Sequence, residues 1–219
     1  MGEAITRLQV AGRVFVGFQL RVLTGLHIGG TPVGIAVGGV DNSIIRDPLT
    51  NRPYVPGSSL KGKIRALLEK QNGLEPTWAI AQTQIHVCLT AESYARCPVC
   101  HIFGVPAEEG DRKKYKNLPS RLLVRDLLLS DLSAAELSAK PLDRPYAEVK
   151  MEVSIDRITS QANPRPVERV PAGAVFGPGE FVYTIYEGDG LADPRRDVDL
   201  LGVLFQGLSL LEHDYLGGM

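Results

Sequence analysis

Proline and glycine confine regular structure in this chain to short pieces. They cluster in "GLHIGGTPVGIAVGGVD" (25–41), "NRPYVPGSS" (51–59), "NPRPVERVPAG" (163–173) and "FGPGEF" (176–181). Proline removes a backbone donor and fixes φ, and glycine admits turns closed to other residues. Such punctuation implies short elements joined by long, ordered loops. Loops of that kind carry function more often than core elements do.

The 219 residues have room for one substantial domain, or for a domain with insertions. A hydrophobic fraction of 44% and a charged fraction of 22% are those of an ordinary soluble globular protein. No run of about 18 apolar residues is present, so no membrane span is expected. The opening "MGEAITRLQV" lacks an apolar signal core, and a cytoplasmic location is expected. Three cysteines, an odd count, argue against a disulfide framework. The net charge of −1 and pI of about 6.4 count mildly against a free-standing nucleic-acid binder. One basic face can override that balance.

"RVFVGFQLRV" (13–22) alternates, with Val14, Val16, Phe18, Leu20 and Val22 on one face, and reads as a half-buried strand. "SIIRDP" reads as a further short strand. "SSLKGKIRALLEKQNG" reads as a helix: Ser58 or Ser59 caps it, Leu60, Ile64, Leu67 and Leu68 form one apolar stripe, and Gly73 ends it. Residues 74–120 look irregular. "RLLVRDLLLSD" (121–131) reads as a strand, 146–158 and 166–176 as the arms of a long hairpin, "EFVYTIYE" (180–187) as another strand and 199–218 as a buried helix. The order strand–helix–strand–strand–helix suggests an α+β fold with a ferredoxin-like core and large insertions.

"GSSLKGK" from Gly57 to Lys63 imitates a phosphate-binding loop of nucleotide hydrolases, but Ile64 stands where a metal-holding hydroxyl belongs. Two prolines in "NRPYVP" forbid the central strand that such a loop follows. The alternatives are a capped helix with solvated lysines, or a helix N-terminus offering amides, Lys61, Lys63 and Arg65 to a phosphate that is not a nucleotide's.

"HVCLTAESYARCPVC" places His86 and Cys88 before Cys97-x-x-Cys100. One histidine and three cysteines at this spacing make one closed tetrahedral zinc set, with His101 a substitute for His86. A redox Cys-x-x-Cys is the alternative, but no thioredoxin-like pattern surrounds it. Zinc would pin an insertion with little core of its own. Arg112, Lys113, Lys114, Lys116, Arg121 and Arg125 form a basic run, which is either a solvated loop or a binding patch.

Four segments together carry a resemblance: "TGLHIGG" (24–30), 38–68 with "PGSSLKG" inside it, "ITSQANPRPVERVPAGAVF" (158–176) and "LLEHDYLGG" (210–218). They resemble the repeat-associated RNA-binding (RAMP) superfamily, and more narrowly the backbone subunit of type III, III-A-like, CRISPR effector complexes. The resemblance implies a single domain over 1–219 with an RNA-recognition-like ferredoxin core, a zinc-binding insertion at 74–120 and a β-hairpin thumb at about 149–176. It implies copies stacked along a guide RNA beside other effector subunits, with the thumb displacing a base pair of the guide–target duplex at regular intervals. It also implies cleavage of complementary target RNA, once per subunit, with a divalent cation (Mg or Mn) as cofactor. The family aspartate required for cutting falls on Asp41, and the loop histidine, a base or a contact to the guide backbone, on His27. RNA contacts fall on Arg21, Gly29, Gly30, Ser58, Ser59, Lys61, Lys63 and Arg65, and in the thumb on Arg157, Asn163, Arg165 and Arg169. Family members run on past "DYLGG" with more glycines and a last core strand, whereas this sequence reaches Met219.

Asp41 in "VDNS" and Asp47 in "RDP" are good turn residues. His27 between Leu26 and Ile28 fits a packed side chain, or one that shapes the loop. A subunit that holds guide and target without cutting, and a guide-processing ribonuclease of the same superfamily, are the alternative functions.

Overall fold

The computed structural model describes residues 7–30, 42–106, 119–188 and 190–217. The strands are β1 (Leu8–Arg21), β2 (Tyr54–Val55), β3 (Trp78–Ile80), β4 (Thr83–Ile85), β5 (Leu122–Val124), β6 (Leu127–Leu128), β7 (Glu148–Ile155), β8 (Ala162–Arg169) and β9 (Val175–Gly188). The helices are α1 (Gly57–Gln71), α2 (Ala91–Arg96), α3 (Pro98–Phe103), α4 (Asp131–Ser138), α5 (Pro194–Asp199) and α6 (Leu201–Glu212). The main sheet has the order β1-β9-β5, and three two-stranded sheets pair β2 with β6, β3 with β4 and β7 with β8. The chain divides into two compact units, each drawn from three separate stretches of sequence.

The first unit comprises Met1–Val16, Leu60–Val124 and Glu180–Asp214. Leu60, Ile64, Leu67 and Leu68 are buried, so the stripe read from the sequence is the face that α1 packs. Gly207 of α6 meets it, and a Cβ there would lie 2.6 Å from Ile64 Cγ2 and 3.0 Å from Leu68 Cδ1. Gly207→Ala gains helix propensity of about 0.5–1 kcal/mol but overpacks the contact by about 1–3 kcal/mol. A net loss of about 1 kcal/mol is expected, read as a lower midpoint in denaturant unfolding. β5 pairs antiparallel with β9, with Leu122 opposite Tyr183 and Val124 opposite Phe181. Arg121 belongs to no surface basic run: its Nε donates to Asp197 Oδ1 at 3.0 Å, and both side chains are fully buried.

The second unit comprises Gly17–Ser59, Arg125–Gly179 and Tyr215–Met219. Its most regular part is the hairpin β7–β8, paired without a break from Glu148 opposite Arg169 to Ile155 opposite Ala162. Alternation puts Met151, Val153 and Ile155 on one face, all more than half exposed. The opposite face is laced by Arg165–Glu152 (3.1 Å) and Arg169–Glu148 (2.6 Å). At the tip Asp156 Oδ1 accepts from the amides of Ile158 (2.8 Å) and Thr159 (2.7 Å), fixing the turn.

Several elements differ from the sequence reading. β1 begins at Leu8 because Leu8–Ala11 pair without burying either face, so no alternation marks them. The expected strand 121–131 is two short strands in different sheets. Between them Asp126 Oδ1 accepts the Gly57 amide at 2.7 Å. That bond caps α1, so Ser58 and Ser59 lie inside the first turn and not at the cap. Residues 74–120 hold the β3–β4 hairpin and the helices α2 and α3. The expected helix 199–218 ends at Glu212 and exposes Phe205, so it is amphipathic.

Candidate functional site

In the second unit the loop around His27 is built backbone against backbone. Gly30 N–H donates to Ser43 O (3.0 Å) and Ile45 N–H to Ile28 O (2.8 Å), and Gly29 bridges Ile44. A Cβ on Gly30 would stand 2.9 Å from Ile45 Cα, which is why glycine is needed there. Glu168, near the end of β8, gathers this region. Its carbonyl accepts from His27 Nδ1 at 2.6 Å, and its amide donates to Asn42 O at 3.1 Å. Its carboxylate accepts the Ile44 amide at 3.0 Å and pairs with Arg46. Arg46 also donates to Asn51 O (3.0 Å) and Pro145 O (2.8 Å).

A carbonyl can only accept, so His27 Nδ1 carries a proton. In the neutral ring Nε2 then keeps its lone pair. Asp41 lies outside the described residues, as do Arg112, Lys113, Lys114 and Lys116. Asn42, the neighbour of Asp41, is held by Glu168, as is His27.

Neither Glu168 nor Arg46 was singled out from the sequence. Glu168 sits between Val167 and Arg169 in an alternating strand, and nothing local marks it as buried. Its side chain is only 6% exposed and Arg46's 18%. Glu168→Ala strands Arg46 and the Ile44 amide, and is expected to cost about 3 kcal/mol in denaturant unfolding. Glu168→Gln keeps an acceptor and is expected to cost less.

The predicted RNA contacts divide. Arg157 and Asn163 are exposed at the hairpin tip, and Arg21 is exposed at the end of β1. Arg165 is ion-paired yet 55% exposed. Arg169 is paired with Glu148, and its side chain packs against Gly25. Lys63 pairs with Asp214 at 3.3 Å. Lys61 turns inward, donating to Ser120 Oγ (2.9 Å) and Leu122 O (2.6 Å), and burial pushes its pKa down. Arg65 also turns inward, to Glu69, Gly104 O and His86 O.

In the first unit His86, Cys88, Cys97 and Cys100 bring their ligand atoms within 4.8 Å of one another. His86 Nε2 stands 3.5 Å from Cys88 Sγ and 3.7 Å from Cys97 Sγ. A tetrahedron with bonds of about 2.3 Å has edges of about 3.8 Å, so the set fits an ion such as zinc. His86 Nδ1 donates to Glu75 O at 2.9 Å, leaving the Nε2 lone pair toward the sulfurs. His101 is not in the set; it stacks on Tyr94 with ring centroids 4.3 Å apart. Hydrogen bonding from the Cys100 thiol, with its amide, pulls the Cys97 pKa down to about 5. Cys100 is raised by that same bond and by burial, and Cys88 chiefly by burial. Among the described residues no helix is long and apolar enough to cross a membrane.

A family model described as the RAMP superfamily matches residues 19–219. The protein of Methanothermobacter thermautotrophicus named CRISPR system Cms endoribonuclease Csm3 is 38% identical over 202 residues, 89% of this chain and 74% of that protein. Its namesake in Mycobacterium tuberculosis is 36% identical over 226 residues, 100% of this chain and 84% of that one. Among solved structures the chain resembles the Csm3–Csm4 subcomplex in the type III-A CRISPR-Cas interference complex, with a TM-score of 0.52 and 27% identity over 96% of this chain and 72% of that one. It also resembles Methanopyrus kandleri Csm3, with a TM-score of 0.59 and 24% identity over 96% of this chain and 74% of that one, a likeness of fold alone.

Proposed function

The chain belongs to the RAMP superfamily and, within it, to the Csm3 family, and from that premise we propose that it binds guide RNA in a type III CRISPR interference complex and cleaves complementary target RNA at regular intervals. Its partners are the guide, the target, further copies of itself and other effector subunits, in the cytoplasm. The observation that carries the reading is the clamp at Glu168. It holds His27 and Asn42, on either side of the stretch that contains Asp41, against the base of a projecting hairpin.

RNA carries its own nucleophile, the 2′-hydroxyl, and cleavage needs that group in line with the phosphorus. The hairpin, inserted into the duplex, unstacks the target and permits that geometry. Asp41 orients or activates the nucleophile, or holds a divalent cation, magnesium or manganese, which supplies charge neutralisation when bound. His27 holds the loop through Nδ1 and presents Nε2. The Gly30 amide is spent on Ser43 O, and Arg21, Ser58, Ser59, Arg157, Asn163 and Arg165, with Gly29, form the RNA-facing set. Arg169 at the hairpin base supports it. Lys61, Lys63 and Arg65 drop out of it, because their donors already serve the protein. Sequence specificity comes from guide pairing.

The order β1–α1–β5–β9–α6, with β9 between β1 and β5, supports a ferredoxin-like core. The Cys/His cluster is a structural zinc site, closed by four ligands and without a catalytic position.

The test is a cleavage assay. The complex is assembled with guide RNA and given end-labelled complementary target and magnesium. A ladder of evenly spaced products that requires the guide is expected. Target held without any ladder would replace this reading with a non-cutting scaffold, and cleavage of guide precursors in its place would point to a processing ribonuclease.

A further inference from the structure

Arg65 and Glu69 sit one turn apart on α1, with Nε donating to Oε1 at 2.7 Å. On an open helix face such a pair contributes only a few tenths of a kcal/mol. Here both side chains are largely buried, 16% and 14% exposed, and burial of charge is costly unless every donor and acceptor has work to do. Their remaining groups converge on one loop. Arg65 Nη2 donates to His86 O at 2.7 Å, and Glu69 Oε2 accepts the His86 amide at 3.4 Å. The pair therefore grips His86 by its own N–H and C=O.

Arg65 Nη1 reaches further, to Gly104 O at 3.1 Å. Gly104 closes α3, its amide donating to Cys100 O at 3.0 Å. All four candidate ligands lie between His86 and Cys100, so one guanidinium spans the entry and the exit of the whole set. The ring of His86 is oriented by Glu75 O, only four residues beyond the end of α1. Main chain and imidazole of the first ligand thus both take their position from α1 and its exit.

We infer that Arg65 and Glu69 are the positioning pair of the Cys/His metal centre: they set where His86 Nε2 stands relative to the three sulfurs, and so set metal affinity. This rests on the zinc reading of that cluster. A lysine cannot replace the arginine, because an ammonium lacks the planar fork that meets two carbonyls and a carboxylate at once. Loss of such outer partners weakens metal binding by about 10- to 100-fold in other sites.

The test uses the full chain. Zinc affinity is measured at one pH by competition with a chromophoric chelator, for wild type, Arg65→Lys and the milder Glu69→Gln. Cobalt absorption reports the ligand geometry, and guide-RNA affinity is measured in parallel. The expected result is zinc binding weakened about 10- to 100-fold in Arg65→Lys and less in Glu69→Gln. The cobalt thiolate bands should shift, and RNA affinity with zinc in excess should match wild type. Zinc affinity within about twofold of wild type in both variants, with a melting loss equal in loaded and metal-free protein, would reduce the pair to a packing role. Guide affinity falling while zinc affinity holds would return Arg65 to the RNA surface. Wild-type protein that takes up no metal would end the zinc reading itself, and with it this inference.

Discussion

Asp41→Ala is expected to leave guide and target bound and to lower target cleavage by at least about 100-fold, the range carried by one positioned acid–base or charge-stabilising group. The 2′-hydroxyl is a poor nucleophile until its proton is drawn off and its oxygen is aligned with the leaving group. A free carboxylate titrates near about 4 and is a weak base at neutral pH, so charge and placement matter more than basicity. Asp41→Asn separates the two: it keeps the shape and an acceptor but loses the charge. If the carboxylate holds a cation, Asn is as inactive as Ala; if it only fixes the loop by accepting a hydrogen bond, Asn recovers much of the rate. Binding should survive in both, because Asn42 and His27 are tied to Glu168 independently of the Asp41 side chain. The ladder on a sequencing gel is the readout. Full-rate cutting by the alanine variant would move the reaction to another residue.

The helix α1 and the first arm of the hairpin were legible because their signals are local. The second arm, expected at 166–176, runs instead from Ala162 to Arg169, where two prolines hid the strand. An apolar stripe at i, i+4, i+7 and i+8 needs no knowledge of what it packs against. The Cys/His spacing was legible for the same reason, since four ligands within fifteen residues can close on one ion. What stayed hidden depends on distant segments. Lys61 and Arg65 look like a basic helix face in one dimension, yet carbonyls of His86, Gly104 and Leu122 come back over that face and take their donors. Glu168 is buried by residues 122–126 positions earlier in the chain. The cap of α1 comes from Asp126, 69 residues away, while Ser58 and Ser59 offered a nearer and wrong cap. α4 did carry local signals, Ser130 accepting from the Ser133 amide and Asp131 in the first turn, but they were submerged in an apolar run that read as strand. Alternation and stripe reveal the faces of elements; they do not reveal which polar groups the fold will bring inward.

Stripping the metal tests the other half of the molecule's design. The segment from Glu75 to Gly104 contributes short strands and two six-residue helices, too little regular structure to hold itself. At a free metal concentration about 1,000 times the dissociation constant, binding adds about 4 kcal/mol of stability. For a chain of this size, chelation should then lower the melting midpoint by about 8–16 °C. Cys97→Ser should melt like the chelated protein and fail to respond to added zinc. Cys97 is the informative ligand because its sulfur also accepts the Cys100 amide at the start of α3 (3.4 Å), and its pKa is pulled down to about 5. At neutral pH it is therefore already a thiolate in the metal-free protein, whereas Cys88 and Cys100 are held protonated. Metal must displace protons from those two only, so zinc uptake near pH 7 should release about two thiol protons, and affinity should weaken as pH falls. A pH-indicator titration counts them. Release of three would make Cys97 an ordinary thiol, and a melting curve indifferent to both chelator and Cys97→Ser would mean that the segment is held by its packing, with no metal needed.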